Sequence, residues 1–382
     1  MTGTRPRESA VDRIRQRVEE KAARRAAAAR AAAGDGDGPE RDPHRLPPDA
    51  PAPEQLPGIR AANPLQIPAG GWKQVLKRAW AENNADNMPI IAGGVAFFGF
   101  LAIFPALLAL ISIYGLVASP EQAAAQVEEF TAGLPETAQG LIEDQVTAIT
   151  ENAGGALTLS LVLSILAALW SASGGVNNLV KAVNIAYDEV ETRNFVKLRA
   201  LSLALTLGAI VFVVLTIGLV AVLPIVIDLL PLGAVGTVLL EIARWVALLL
   251  VVAGSLAVLY RVAPDRDSPK FRWVSLGSVV VTVVWALVSL GFTFYVNNFG
   301  SYDATYGAIA GVIVLMLWLY LTCYLVLLGA EINSEAEHQT GLDTTDGEPV
   351  PMGERDAVKA DTLPAKAEPE KGDSDPTRKN AP

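Results

Sequence analysis

Charge is scarce in this chain of 382 residues: 18% are Asp, Glu, Lys or Arg, while 51% are hydrophobic. A soluble domain carries about a quarter charged residues, so the shortfall argues against an ordinary water-facing fold. There is one cysteine, Cys323, inside an apolar run, which excludes a disulfide framework and a thiol-metal cluster. There are two histidines, His44 and His338, near opposite ends of the chain and outside any HxHxDH-type cluster. Metal-dependent RNA hydrolysis needs clustered His and carboxylate ligands, so a nuclease is not expected. Gly-rich phosphate loops are missing as well, because the glycines sit within apolar runs. Neither a cofactor nor a metal is expected, and the chain is not read as an enzyme. Residues 119–153 hold seven carboxylates and no Lys or Arg.

Long uncharged runs are what the chain has instead. They recur between residues 88 and 330 at the ~20-residue length that crosses ~30 Å of hydrocarbon. Six spans are expected, at about 88–117, 154–173, 200–227, 237–260, 273–296 and 304–330, giving an all-α polytopic membrane protein. Ala92, Ala96, Gly99 and Ala106 with Ile103 form a small-residue seam on the first span, and Gly307 and Gly311 a GxxxG pair on the last. Pro105 is expected to kink the first span. Lys and Arg gather at 173–199 and 261–272, four in each, and are missing from 118–155, 228–236 and 297–303. The positive-inside rule then puts both termini in the cytoplasm and the acidic 119–153 loop, read as short helices, outside.

Three regions follow. Residues 1–71 comprise a basic Ala/Arg-rich helix (8–33) and a tether with nine prolines in 34–71, both read as disordered. Residues 72–334 form the membrane domain, opened by an interfacial helix with Trp72 and Trp80 at headgroup depth and Lys73, Lys77 and Arg78 facing phosphates. Residues 335–382 read as a disordered acidic tail. The two tails are expected to be dispensable, so that a chain of residues 70–338 inserts by itself. Net charge is −10, made up of +2, −6 and −6 over these regions, and carries no general nucleic-acid affinity.

The most chemically informative stretch runs from Gly154 to Lys197, where a span passes without a break signal into an amphipathic segment. Asn177, Lys181, Asn184 and Asp188 recur at i, i+4, i+7 and i+11 and share one helical face. Either they line a polar path, with Glu331 at the inner end of the last span as counter-charge to Lys181, or they form the wet side of an interfacial helix. Asp228, Glu241 and Arg244 form a second set toward the outer side, where a snorkelling i,i+3 pair is the simpler reading. Asp303 reads as a helix cap, and Tyr302, Tyr306, Trp318, Tyr320 and Tyr324 as aromatic belt and packing.

Several stretches together resemble one family: ALWSASGGVNNLVKAVNIAYD, ETRNFVKLRA, YRVAPD, and NFGSYDATYGAIAGVIVLMLWLYLTCYLVLLGAEIN, with Phe104-Pro105 in the first span. The resemblance, over about residues 72–336, is to the YihY/virulence-factor BrkB family of bacterial inner-membrane proteins. It implies a six-span cell-membrane protein without an established activity or agreed catalytic residues. Members have been linked to virulence, serum resistance and lipid or envelope-precursor transport, and the family once bore the label ribonuclease BN. Two function classes stay open: a transporter or lipid-translocating protein without its own ATPase, and a non-transporting scaffold or regulator of envelope assembly. Expected partners are membrane lipids, a lipid or small-molecule substrate and a second copy of the chain.

Overall fold

The computed structural model describes residues 19, 21–23, 26, 46–114, 159–229, 233–299 and 308–364. Nearly all of the basic N-terminal segment, the acidic 119–153 loop, the 300–307 loop with Asp303 and Gly307, and residues 365–382 therefore lie outside the described residues. Those described are all-helical: α1 (Ala69–Ala85), α2 (Met88–Tyr114), α3 (Leu159–Ala186), α4 (Phe195–Ile217), α5 (Leu223–Asp228), α6 (Gly233–Val262), α7 (Phe271–Phe299), α8 (Ala308–His338) and α9 (Val358–Asp361). A five-residue π-helical turn, Gly218–Val222, joins α4 to α5. Five helical stretches are long and apolar enough to cross a membrane: Met88–Leu107, Phe195–Ile225, Val235–Val262, Phe271–Val296 and Ala310–His338. The α3 helix, on which a sixth span was expected at about 154–173, is not among them; residues 154–158 of that expected span lie outside the described residues.

Local sequence sets the helix ends. Asn194 caps α4, its side chain accepting from the Lys197 N–H at 2.9 Å. At the end of α3 the Asp188 N–H donates to the Ile185 carbonyl and the Glu189 N–H to the Asn184 carbonyl, at 2.9 and 2.8 Å. That pairing is a Schellman motif, with Asp188 in the left-handed conformation (φ 55°) usually taken by glycine. Asp188 therefore terminates the helix instead of extending its polar stripe. Pro105 is accommodated within α2, which continues to Tyr114.

The chain divides into two compact units. The first to consider comprises Ala81–Asp265 and Val274–Glu331. Its buried apolar core gathers Met88, Ala92 and Val95 of α2, Val180, Val183 and Ala186 of α3, Tyr187 beyond it, Ala257 and Tyr260 of α6, Val274 of α7, and Leu327 and Ala330 of α8. Exposed along the same helices are large apolar residues, Leu163, Leu250, Leu287 and Leu290 among them, and Val211 on α4. A lipid-facing helix needs that pattern.

Close helix contacts occur at two glycines. A side chain at Gly175 would meet Ala102 Cβ at 2.8 Å and the Phe98 carbonyl at 3.0 Å, and one at Gly329 would overlap Val281 and the Tyr260 hydroxyl. The Tyr260 hydroxyl donates to the Val326 carbonyl at 2.8 Å, tying α6 to α8 beside Gly329. The expected seam is corrected in part: Ala92 and Ala96 are buried, but a side chain at Gly99 would meet nothing within 4 Å among the described residues. A side chain at Gly311 would likewise meet nothing within 4 Å among the described residues, and Gly307, the other member of the GxxxG pair, lies outside them.

The second unit holds the described residues up to Trp80, Arg266–Trp273, and those from Ile332 onward. Within residues 46–71 and 335–364, the described parts of the two regions expected to be disordered, side chains pack together. Ala61, Ile67, Val75, Trp273 and Ala336 share a small apolar core, with Trp72 packed against it. Polar clamps hold the rest. The Thr340 hydroxyl is within bonding distance of the carbonyls of Ala61 (2.8 Å) and Ile59 (3.2 Å), and Gln339 Nε2 donates to the Pro57 carbonyl and to Gln74. Buried Glu335 meets Arg78 Nε at 2.5 Å and Lys359 Nζ at 2.6 Å. Arg266 and Glu337 pair at 2.8 Å with both side chains fully buried, and Thr344 donates to Glu337 at 2.6 Å. The loop at 267–270 exchanges backbone bonds with Thr344, Asp346 and Asp356, and Arg355 donates to the carbonyls of Gly341, Val350 and Ala360. Residues poor in apolar groups are ordered here because their buried polar atoms find partners.

Two outcomes follow. In detergent, Gly329→Ala should lower the unfolding free energy by ~1–3 kcal/mol through overpacking, and Gly311→Ala should leave it nearly unchanged. A chain of residues 70–338 should melt well below one of residues 46–364, because truncation strands Glu335 without Lys359. Equal melting temperatures would show the two terminal segments to be energetically idle.

Candidate functional site

Polar groups converge where α3 gives way to the loop before α4 and where α6 ends. Asn184 is buried on the last turn of α3. Its Nδ2 donates to Glu191 Oε2 at 2.8 Å, and its Oδ1 accepts from the Asp265 N–H at 2.7 Å. Asp265 Oδ2 in turn accepts from both the N–H and the hydroxyl of Thr192, at 2.6 Å each. Arg193 forks onto Glu191 at 2.8 and 2.7 Å and donates to the Ala263 carbonyl at 2.7 Å. Such a network, with amide, carboxylates and guanidinium mutually satisfied, rigidifies its surroundings. It fastens one loop to another.

The expected stripe is thereby dispersed. Asn177 is half-buried, Lys181 is exposed, Asn184 is buried in the junction, and Asp188 sits beyond the helix end. Glu331 is buried on α8. No ion pair joins Lys181 to Glu331 among the described residues. Sequence reading missed Glu191, Thr192, Arg193 and Asp265, although all four lie in the stretches that carry the family resemblance.

Of the second charge set, two members meet. Glu241 and Arg244 pair at 2.6 Å, one turn apart on α6, and the guanidinium lies 5.2 Å from the Trp245 ring. The Asp228 side chain lies outside the described residues. Arg244 Nη1 also donates, at 3.5 Å, to the Val220 carbonyl in the π-helical turn. Pro224, four residues after Val220, has no N–H to serve as that carbonyl's α-helical donor. A missing donor and a charged donor thus meet at one place. Among the aromatics, Tyr320 stacks on Tyr324 at 6.3 Å, and Trp285 packs edge-on to Trp318 at 6.2 Å while donating to the Thr322 hydroxyl. Tyr302 and Tyr306 lie outside the described residues. No group of three or more His, Cys, Asp or Glu suited to hold a metal occurs among the described residues.

The proline–arginine relation can be measured as a double-mutant cycle. Arg244→Gln should lower the melting temperature, and the loss should shrink in a Pro224→Ala background, where the substituted residue supplies the absent N–H. Strictly additive losses would separate Arg244 from the π-turn.

Comparison with known proteins places these residues in context. The family model for Virulence factor BrkB matches residues 79–352. The putative ribonuclease-like protein YfkH of Bacillus subtilis is 37% identical over 246 residues, 63% of this chain and 86% of that protein. UPF0761 membrane proteins of Alteromonas mediterranea and Tolumonas auensis are 28% and 27% identical over 266 residues. Those alignments cover 66% and 68% of this chain, and 87% and 82% of the relatives. No solved structure matches. The match takes in the Asn184–Asp265 junction, the Glu241–Arg244 pair and the Gly329 contact, and the chain belongs to the virulence factor BrkB family of integral membrane proteins.

Proposed function

We propose that this protein translocates an anionic amphiphile, a lipid or an envelope precursor, across the cell membrane without an ATPase of its own. The observation that carries the reading is Arg244: a guanidinium held in an apolar helix, against the carbonyl freed where a neighbouring helix is broken by a π-turn and Pro224. Ionisable groups within spans are costly and mark ligand routes, and broken helices line such sites in transporters. Arg244 keeps donors beyond those given to Glu241 and Val220, enough for one further phosphate or carboxylate. In this reading α3 is the sixth span, both termini face the cytoplasm, and the acidic 119–153 loop faces outward, as the Lys/Arg distribution requires. Lys181, exposed on α3, then serves as an interfacial anchor and not as part of the route. Ribonuclease chemistry, which the name of the Bacillus subtilis relative invokes, is not part of the proposal: neither His44 nor His338 stands in a ligand cluster in the sequence.

Reconstitution tests it. Purified protein in liposomes should accelerate the transbilayer exchange of fluorescent phosphatidylglycerol over protein-free vesicles. Arg244→Gln should reduce that exchange at least tenfold, and Lys181→Ala should leave it within about twofold. Absence of flux for every anionic lipid and solute tried, from a folded protein, would favour the scaffold reading.

A further inference from the structure

The α1 helix carries an exposed face that neither the family assignment nor the translocation reading uses. Lys73, Leu76, Lys77 and Trp80 fall within about 100° of one another around its axis. All four are exposed, Leu76 at 51% and Trp80 at 59%. The opposite face is committed inward. Val75 and Ala79 are buried, Arg78 is bound to Glu335 and Gln339, and a side chain at Gly71 would strike Pro57 and Ile67. The structure therefore sorts the residues that sequence had grouped as interfacial: Arg78 and Trp72 turn toward their own unit, and Lys73, Lys77 and Trp80 turn away.

The exposure is selective. Within this unit the large apolar side chains left exposed are Leu65, Leu76, Trp80 and Phe271, and three of these four belong to residues 65–80. Neither Lys73 nor Lys77 has a carboxylate partner among the described residues, and the four-residue face contains no acidic side chain. Trp80 precedes the first apolar span, which starts at Met88, by eight residues, so this face cannot be far from a bilayer surface. Two ammonium groups flanking a Leu–Trp pair match a surface with negative phosphates outside and acyl chain beneath.

We infer that the Lys73–Leu76–Lys77–Trp80 face of α1 docks on anionic phospholipid headgroups. The docking does not depend on whether the protein transports anything. Its test uses the full chain with Cys323→Ser and Leu76→Cys, labelled with a polarity-sensitive fluorophore, in nanodiscs of phosphatidylcholine with or without phosphatidylglycerol. With phosphatidylglycerol present, the emission should shift to the blue and be quenched by spin-labelled lipid more than by aqueous iodide. Lys73→Glu with Lys77→Glu should reverse that preference without moving the melting temperature; should that pair fold poorly, Lys73→Gln with Lys77→Gln should weaken it by several-fold. Equal lipid quenching with and without phosphatidylglycerol would overturn charge-directed docking. Iodide quenching in both nanodiscs would overturn membrane contact altogether, and protection from both quenchers would assign the face to a protein partner instead.

Discussion

Closing α3 takes Asn184 out of solvent, and both ends of its carboxamide then need partners. An unsatisfied buried amide costs ~1–3 kcal/mol, enough to decide which loop conformations survive. One end takes Glu191, which fixes Arg193, and the other takes the Asp265 backbone, whose side chain fixes Thr192. Five residues before Asp265, Tyr260 donates to α8 beside Gly329. The stretches NIAYDEVETRN, YRVAPD and LLGAE thus meet in one junction. What looks in sequence like a family signature without catalytic residues is, in space, the set of contacts that closes one end of the helices.

Most of the architecture was legible because hydropathy is local and additive. Three of the expected spans coincide within about five residues with the stretches from Phe195, Val235 and Phe271, the first begins as expected at Met88 and is apolar enough to Leu107, and the last expected span matches the greater part of Ala310–His338. What could not be read was anything that depends on a partner distant in sequence. Gly311 and Gly329 look alike in the chain, and only the presence of Tyr260 and Val281 makes one of them indispensable. Asp188 continued a polar periodicity on paper, yet the backbone turns left-handed there. Composition misled most in the terminal segments. Low apolar content is a sound sign of disorder when apolar burial is the means of ordering, but Thr340, Gln339 and Arg355 order their surroundings by satisfying backbone carbonyls.

The same structure qualifies how the basic residues should be counted. Arg193 is forked onto Glu191 and Arg266 is buried against Glu337, so two of the charges used in reading orientation have structural partners, as does Arg78, bound to Glu335, in the helix before the first span. The positive-inside bias acts while the chain is being inserted, before these pairs exist, so later burial does not cancel their topological weight. One residue can therefore serve orientation first and packing afterwards. It also follows that neutralising such an arginine confounds the two roles, whereas Lys181, exposed and outside any ion pair among the described residues, reports on charge alone.

Arg244 raises the opposite problem, a charge that topology does not require. Its presence in an apolar helix is costly by ~2.5–3.5 kcal/mol on the insertion scale if nothing compensates it. Pro224 is a second defect, since it has no N–H to give the Val220 carbonyl an α-helical bond. Placed apart, each would destabilise its helix; placed together, each supplies part of what the other lacks, and Glu241 balances the remaining charge. Mutual compensation explains how the pair can be tolerated, but not why two defects should be kept where an uninterrupted Leu-rich helix would be cheaper. The anion site proposed for Arg244 would supply that reason. The guanidinium lies over Trp245 and against the π-turn, and its counter-ion Glu241 is a half-buried carboxylate on the same helix, so an anion binding there would exchange one ion pair for another.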